Sequence, residues 1–168
     1  MIRFTGFLFF FLLGLGGCTT VLLTKVEFSD VRSVSSKDST WTNYRREIAQ
    51  HYDSVSKVKQ KVRDAIGDPF VETRVNTFQS DVDTSRVIVI ATITGDAVEE
   101  DYEWLVYKMK KQALLKGGNL IASFNSEHYT RYGFGYFLMQ LSGHRVPDEM
   151  RQRVKCTGKV VYVIPTHT

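Results

Sequence analysis

The spacing of apolar positions along the chain changes repeatedly, and each change marks an expected element. An apolar run from Phe7 to Leu15 follows a single positive charge, Arg3. It has the length of a signal-peptide h-region and falls short of the about 20 apolar residues that a bilayer crossing needs. Residues 19–39 mix serines with Val21, Leu22, Leu23, Val26, Phe28, Val31 and Val34, which reads as a polar tether holding an edge strand in part of its length. From Trp41 to Ile66 the spacing becomes helical. Trp41, Ile48, Val55 and Val62 fall seven apart, and Tyr44, His51, Val58 and Ala65 follow three residues after each. This pattern predicts one helix over 41–66, opened by Ser39 or Thr40 and closed by Gly67-Asp68-Pro69. Its stripe either packs on the sheet of its own domain or self-associates as a coil. Trp41, Tyr44 and His51 within it suit a wet partner interface.

Period-two patterns come next. Residues 70–78 alternate, with Val71, Thr73, Val75 and Thr77 on one side, and residues 86–94 are β-branched almost throughout. Turn residues at 80–85 join the two, so a hairpin is expected. Asp81 and Asp83 lack the further oxygen ligands and loop glycine of a calcium site and read as turn chemistry. Gly95 is expected to end the strand. A second helix is expected over 98–116, with acidic residues at its start and lysines at its end, as the helix dipole favours. Gly117-Gly118 supplies a left-handed cap, with Asn119 hydrogen-bonding the turn. Strands are expected at 119–124 and 156–164, separated by an insertion over 125–155 in which Pro147 opens a short helix. The fold class is α+β: helix, β-hairpin, helix and two further strands forming a small α/β sandwich, all within one domain over 40–168.

The apolar run ends in Leu15-Gly16-Gly17-Cys18, which resembles a lipobox: cleavage between Gly17 and Cys18, then lipid on Cys18. The competing reading is an ordinary secretory signal with Cys18 later in a disulfide. A single acyl chain binds membranes marginally, and two or more hold a protein there. Thr19, where Asp would favour the inner membrane, leans toward an outer-membrane anchor facing the periplasm. Removing residues 1–17 from the 168 leaves 151, enough for one domain. Arg3 accounts for one of the net +4 charges, and the remaining +3 is interleaved with acid, which argues against nucleic acid as a partner. With lipid on Cys18, Cys156 has no partner within the chain. It is either a buried inert thiol or an intermolecular disulfide.

The insertion crowds aromatic residues around Gly133 and Gly135. Tyr129, Tyr132, Phe134, Tyr136 and Phe137, with Leu138, Met139 and Leu141, form either a hairpin or short helix packed on the core, or an exposed surface for a partner or a membrane. Together with Trp41 and Tyr44 they are the candidate partner surface. The histidines, His51, His128, His144 and His167, have no metal-ligand spacing with one another or with Cys156, and no nucleophile elbow or phosphate loop occurs. No catalytic residue, metal or cofactor is expected.

Gly95, the segment Ala113-Leu114-Leu115-Lys116-Gly117-Gly118-Asn119-Leu120-Ile121 and the late run Cys156-Thr157-Gly158-Lys159-Val160-Val161 together resemble small bacterial envelope domains of the RcsF and YbjQ type, over about residues 86–164. The resemblance implies a small α/β domain, often borne by outer-membrane lipoproteins, and no catalytic activity. RcsF-type sensors use paired disulfides that Cys156 alone cannot make. The expected function is a membrane-anchored, non-enzymatic envelope lipoprotein that binds or supports another envelope protein. The alternatives are an envelope-stress sensor, or a small-ligand binder using the aromatic insertion.

Overall fold

Glycine and capping chemistry decide where the elements of this chain start, stop and touch. The computed structural model describes residues 24–32, 39–55, 57–83, 87–132, 134–143 and 152–164. In chain order these form β1 (Lys25–Ser29), α1 (Ser39–Ser54), α2 (Lys57–Ile66), α3 (Pro69–Arg74), β2 (Asn76–Thr77), β3 (Val87–Val98), a 3-10 turn (Glu99–Asp101), α4 (Tyr102–Leu115), β4 (Leu120–Thr130), α5 (Phe134–Leu141) and β5 (Gln152–Val163). The class is α+β, with the strands in one mixed sheet of order β1-β3-β5-β4-β2. β1 is an edge strand antiparallel to β3, β5 is antiparallel to both β3 and β4, and β2 runs parallel to β4.

The core lies between one face of the sheet and α4. Leu105, Met109 and Ala113 of α4 are buried against Ile93, Ala97, Val154, Cys156 and Val160. Each of the larger of these side chains contributes about 1.5–3 kcal/mol by leaving water. Two glycines set the approach. A Cβ on Gly95 would stand 2.6 Å from Leu105 Cδ1 and 2.7 Å from Met109 Sδ. One on Gly118 would stand 2.4 Å from Val160 Cγ1. Contrary to the expectation from sequence, Gly95 therefore does not end its strand. β3 runs on to Val98, and the glycine makes room for the helix.

The helix expected over 41–66 is two helices, α1 and α2. At the break Ser54 Oγ donates to His51 O (2.8 Å) and Val55 N to Tyr52 O (3.3 Å), closing the last turn of α1 on itself. Seven-residue spacing needs a partner surface along its whole length. Trp41 finds one beside the end of α4 and Ile48 is buried in the core, whereas Val62 stands 56 % exposed.

The hairpin expected from 70–78 and 86–94 does not form. Asp68, besides closing the preceding helix, caps α3: its Oδ1 accepts from Phe70 N at 3.1 Å, and Pro69 occupies the first turn, where its missing N–H costs nothing. The misreading has a geometric cause. Val71 and Val75, both buried, lie four apart, a spacing shared by one face of a strand and one face of a helix. The strand is confined to Asn76 and Thr77, which pair with Leu120 and Ile121 of β4 rather than with β3.

β4 and β5 are longer than the expected strands 119–124 and 156–164, so much of the expected insertion is ladder, paired out to Thr130 opposite Gln152. The expected helix opening at Pro147 falls outside the described residues. Replacing Gly95 with valine should overpack the contact with Leu105 and Met109, cost about 1–3 kcal/mol, and lower the urea midpoint at unchanged m-value.

Candidate functional site

Antiparallel register gathers several chain features at one end of the sheet. Lys25, which opens β1, pairs with Asp96 near the end of β3. Asp96 pairs with Lys155 near the start of β5, and Lys155 with Glu127 near the end of β4. The chain therefore enters β1, leaves β3 for α4, and leaves β4 for α5 from this one end.

Gly95 faces α4, so its neighbour Asp96 faces the other way, as do Val98 and its partner Arg153. On that face Arg153, 2 % exposed, donates to Asp96 Oδ1 from Nε at 2.7 Å and again from Nη2. Tyr129, opposite Arg153 in the ladder, donates its hydroxyl to the other Asp96 oxygen. Burial, and then the bond to Asp96, raise the Tyr129 hydroxyl above its ordinary pKa. One carboxylate thus joins three strands. His128 on the neighbouring register position lies 3.0 Å from Glu99.

The aromatic residues singled out in the sequence separate into three groups. Trp41 is buried and donates its indole N–H to Gly117 O at 3.0 Å. Tyr44 is half-buried, 5.1 Å from the Tyr162 ring, with its hydroxyl reaching Gly118 O at 3.4 Å, and burial pushes its pKa up to about 12. Burial removes Trp41 from the partner surface, and Tyr44 is engaged within the domain. Tyr129 belongs to the Asp96 cluster. Tyr132 and Phe137 are exposed, together with Leu138, Met139 and Leu141. The side chains of Phe134 and Tyr136, and the pair Gly17 and Cys18, lie outside the described residues.

The turn after α4 is built as a left-handed cap. Gly117 has φ +89°, and the N–H groups of Gly117 and Gly118 reach Leu114 O (2.8 Å) and Ala113 O (2.9 Å). Asn119 acts on the sheet rather than on the turn: its side chain donates to Val163 O at 3.1 Å and accepts from Val163 N at 2.7 Å. It thereby extends the ladder back beyond the start of β4.

Trp104 is a surface feature that the sequence reading passed over. It stacks on Tyr107 with centroids 5.1 Å apart, and Lys108 Nζ lies 5.3 Å above its ring. A groove of about 330 Å³ on one side reaches Thr24 and Val26 and is edged by Lys108 and Lys111. On the other side a groove of about 590 Å³ is lined by Ile66 and Pro69 and edged by Glu72 and Glu103. The signal was present: Trp104 and Tyr107 are the two aromatic residues of α4 that lie off the helix stripe of Tyr102, Leu105, Val106, Met109 and Ala113.

Two polar groupings could carry chemistry. His51 is stacked on Phe70 (3.7 Å, 7°), with its Nε2 3.7 Å from Asp68 Oδ2 and 3.3 Å from Arg63 Nη1. Tyr107 Oη accepts from Asp68 N at 2.9 Å. These contacts join α1, α2, α3 and α4 at the capping aspartate, and the pattern is that of a junction. Asp81 receives hydrogen bonds from Ser123 and Lys159, which hold its carboxyl below the usual range. It fixes the 78–83 segment to the β4 bulge. Among the described residues no three His, Cys, Asp or Glu side chains are grouped to hold a metal ion. No helix among them is long and apolar enough to cross a membrane.

No protein-family model, curated protein or solved structure matches this chain.

Two outcomes follow from this geometry. Arg153→Met leaves the Asp96 carboxylate without its main partner. Because Asp96 keeps partial contact with water, the cost should be about 2–3 kcal/mol by denaturant unfolding, with part of it recovered in the Asp96→Asn, Arg153→Met double variant. Cys156 is fully buried in β5 and its thiol is pushed up to about 11 by burial. A disulfide-forming reagent at about pH 8 should label the native protein at least about 100-fold more slowly than the unfolded chain.

Proposed function

We propose that this chain is a lipid-anchored protein of the cell envelope, cleaved between Gly17 and Cys18 and held by acyl chains on Cys18. Its domain works there without catalysis, as a docking component for another envelope protein. The observation that carries the reading is Leu15-Gly16-Gly17-Cys18 behind an apolar run, followed only seven residues later by the first strand at Lys25. So short a connection suits a domain that operates against its own membrane. Thr19 and the RcsF- and YbjQ-type resemblance of residues 86–164 support placement on the outer membrane facing the periplasm. The burial of Cys156 suits an oxidising compartment, since the thiol is kept from pairing with another chain.

For the protein partner, the Trp104 ridge has the better chemistry. Aromatic anchors flanked by grooves dominate binding at protein interfaces. Lysines edge one groove and glutamates the other, which favours a partner carrying both signs of charge over a nucleic acid. The groove reaching Thr24 and Val26 lies beside the tethered end, so what fills it sits close to the membrane.

The test has two arms. Mature protein should exceed the polypeptide mass by its acyl groups, and Cys18→Ser should accumulate as uncleaved precursor. A photoreactive residue in place of Lys108 should give a discrete adduct with one envelope protein, whose yield Trp104→Ala lowers by about tenfold or more while the domain stays folded. A cleaved chain without added lipid refutes the anchor. Absence of a protein adduct, or an adduct insensitive to Trp104, refutes the docking role.

A further inference from the structure

We infer that helix α5 seats in the headgroup region of the phospholipid bilayer that holds Cys18, so that the domain meets its membrane at two points. This rests on the lipid anchor proposed above and is argued from the exposure of α5 and its place in the fold.

Residues 134–141 read Phe-Gly-Tyr-Phe-Leu-Met-Gln-Leu, a helix without a single charge. Phe137, Leu138, Met139 and Leu141 are between 41 % and 70 % exposed. At about 100° per residue, three consecutive exposed apolar positions open roughly 200° of the helix surface. A surface helix normally turns its apolar stripe inward and a polar face to water. α5 has apolar residues where its polar face should be, with the exposed Tyr132 just ahead of it. Tyrosine and other amphipathic aromatics favour the boundary between headgroups and acyl chains.

The topology says what covers this patch. Cys18 is seven residue steps from Lys25, a span of at most about 25 Å when fully extended. The acyl chains therefore hold the Lys25 end of the sheet close to the lipid surface. β4 and β5 leave toward α5 from that same end. Glu127 of β4 stands level with Lys25, three strand spacings or roughly 14 Å across the sheet. The ladder then runs three residues farther, to Thr130 opposite Gln152, which carries the start of the α5 connection about 10 Å beyond the start of β1. The arm thus extends past the point where the tether enters, and it bears the apolar helix. The Asp96–Arg153–Tyr129 cluster braces the arm at its base.

Charge does not drive the contact. The same end carries Lys25, Arg131 and Lys155, but also Glu99, Glu100, Asp101 and Glu127. The surface that fits is phospholipid recognised through apolar burial, with anionic headgroups unnecessary and little dependence on salt.

The experiment places a photoreactive phenylalanine analogue at Phe137 of the full chain in intact cells. The same analogue at Leu115, exposed at the C-terminal end of α4 and at the opposite end of the sheet, is the control. Intact mass is measured on the same preparations. A phospholipid adduct at position 137, in yield about tenfold or more above position 115, is the expected result. A protein adduct at 137, or lipid capture no higher than at 115, overturns the seating of α5. The mass separates the two failures. Mature chain lacking acyl groups on Cys18 overturns the anchor and the inference with it, whereas an acylated chain without lipid capture at 137 overturns the inference alone.

Discussion

The close approach of α4 to the sheet is the constraint on which the other contacts depend. Helix and strand backbones come this near only where one of them lacks a side chain. Gly95 supplies that gap near the end of β3, and Gly118 supplies it where the helix hands over to β4. Between these two points Leu105, Met109 and Ala113 are buried with Ile93, Cys156 and Val160 in one core. The same approach places the carbonyls of Gly117 and Gly118 under Trp41 and Tyr44, so α1 is fastened to the end of α4 by the groups that end it. If α4 is lifted, the anchorage of α1 goes with it.

What the sequence disclosed and what it concealed follow from how local each signal was. The charge-sorted helix, its double-glycine exit and the strands on either side depend on near neighbours, and those elements were legible. The α+β class followed from them. Residues 70–75 were illegible because Val71 and Val75 satisfy strand and helix alike, and Asp68-Pro69 can both close one helix and open the next. Gly95 was read as a stop because a glycine in a strand looks the same whether it ends the strand or admits a helix. The break between α1 and α2 is closed by bonds of Ser54 and Val55 to the preceding turn, which a seven-residue repeat of apolar positions does not reveal. Of the candidate site, the exposure of Phe137 and Leu141 was one of two readings left open. Trp41 and Tyr44 were counted in the candidate partner surface because aromatic residues in a stripe look alike whether the stripe meets a partner or the chain's own helix cap.

The arm formed by the ends of β4 and β5 explains why a buried charge is tolerated here. Taking Arg153 out of water costs several kcal/mol unless its partners are well placed, and replacing such a pair with apolar side chains is often neutral or better for stability. What an apolar replacement lacks is registry. Asp96, Arg153 and Tyr129 come from β3, β5 and β4, and their hydrogen bonds form only when all three strands are in step. A one-residue slip would turn each side chain to the opposite face. The cluster therefore fixes the direction in which the arm leaves the sheet.

Direction matters because a tethered surface can act through contacts too weak to matter in solution. If acyl chains hold Cys18, a seven-step connection confines the Lys25 end within about 25 Å of the bilayer, an effective concentration on the order of tens of millimolar for any group facing it. A lipid contact with a millimolar dissociation constant would then be mostly engaged. Four exposed apolar side chains on one short helix could supply so weak a contact, while a freely diffusing protein would need a larger and less soluble patch. The benefit vanishes if the patch faces away from the membrane, since confinement raises the local concentration only of groups that can reach. A short tether, a register-locked arm and a small apolar helix are thus useful to one another in a way that none would be alone.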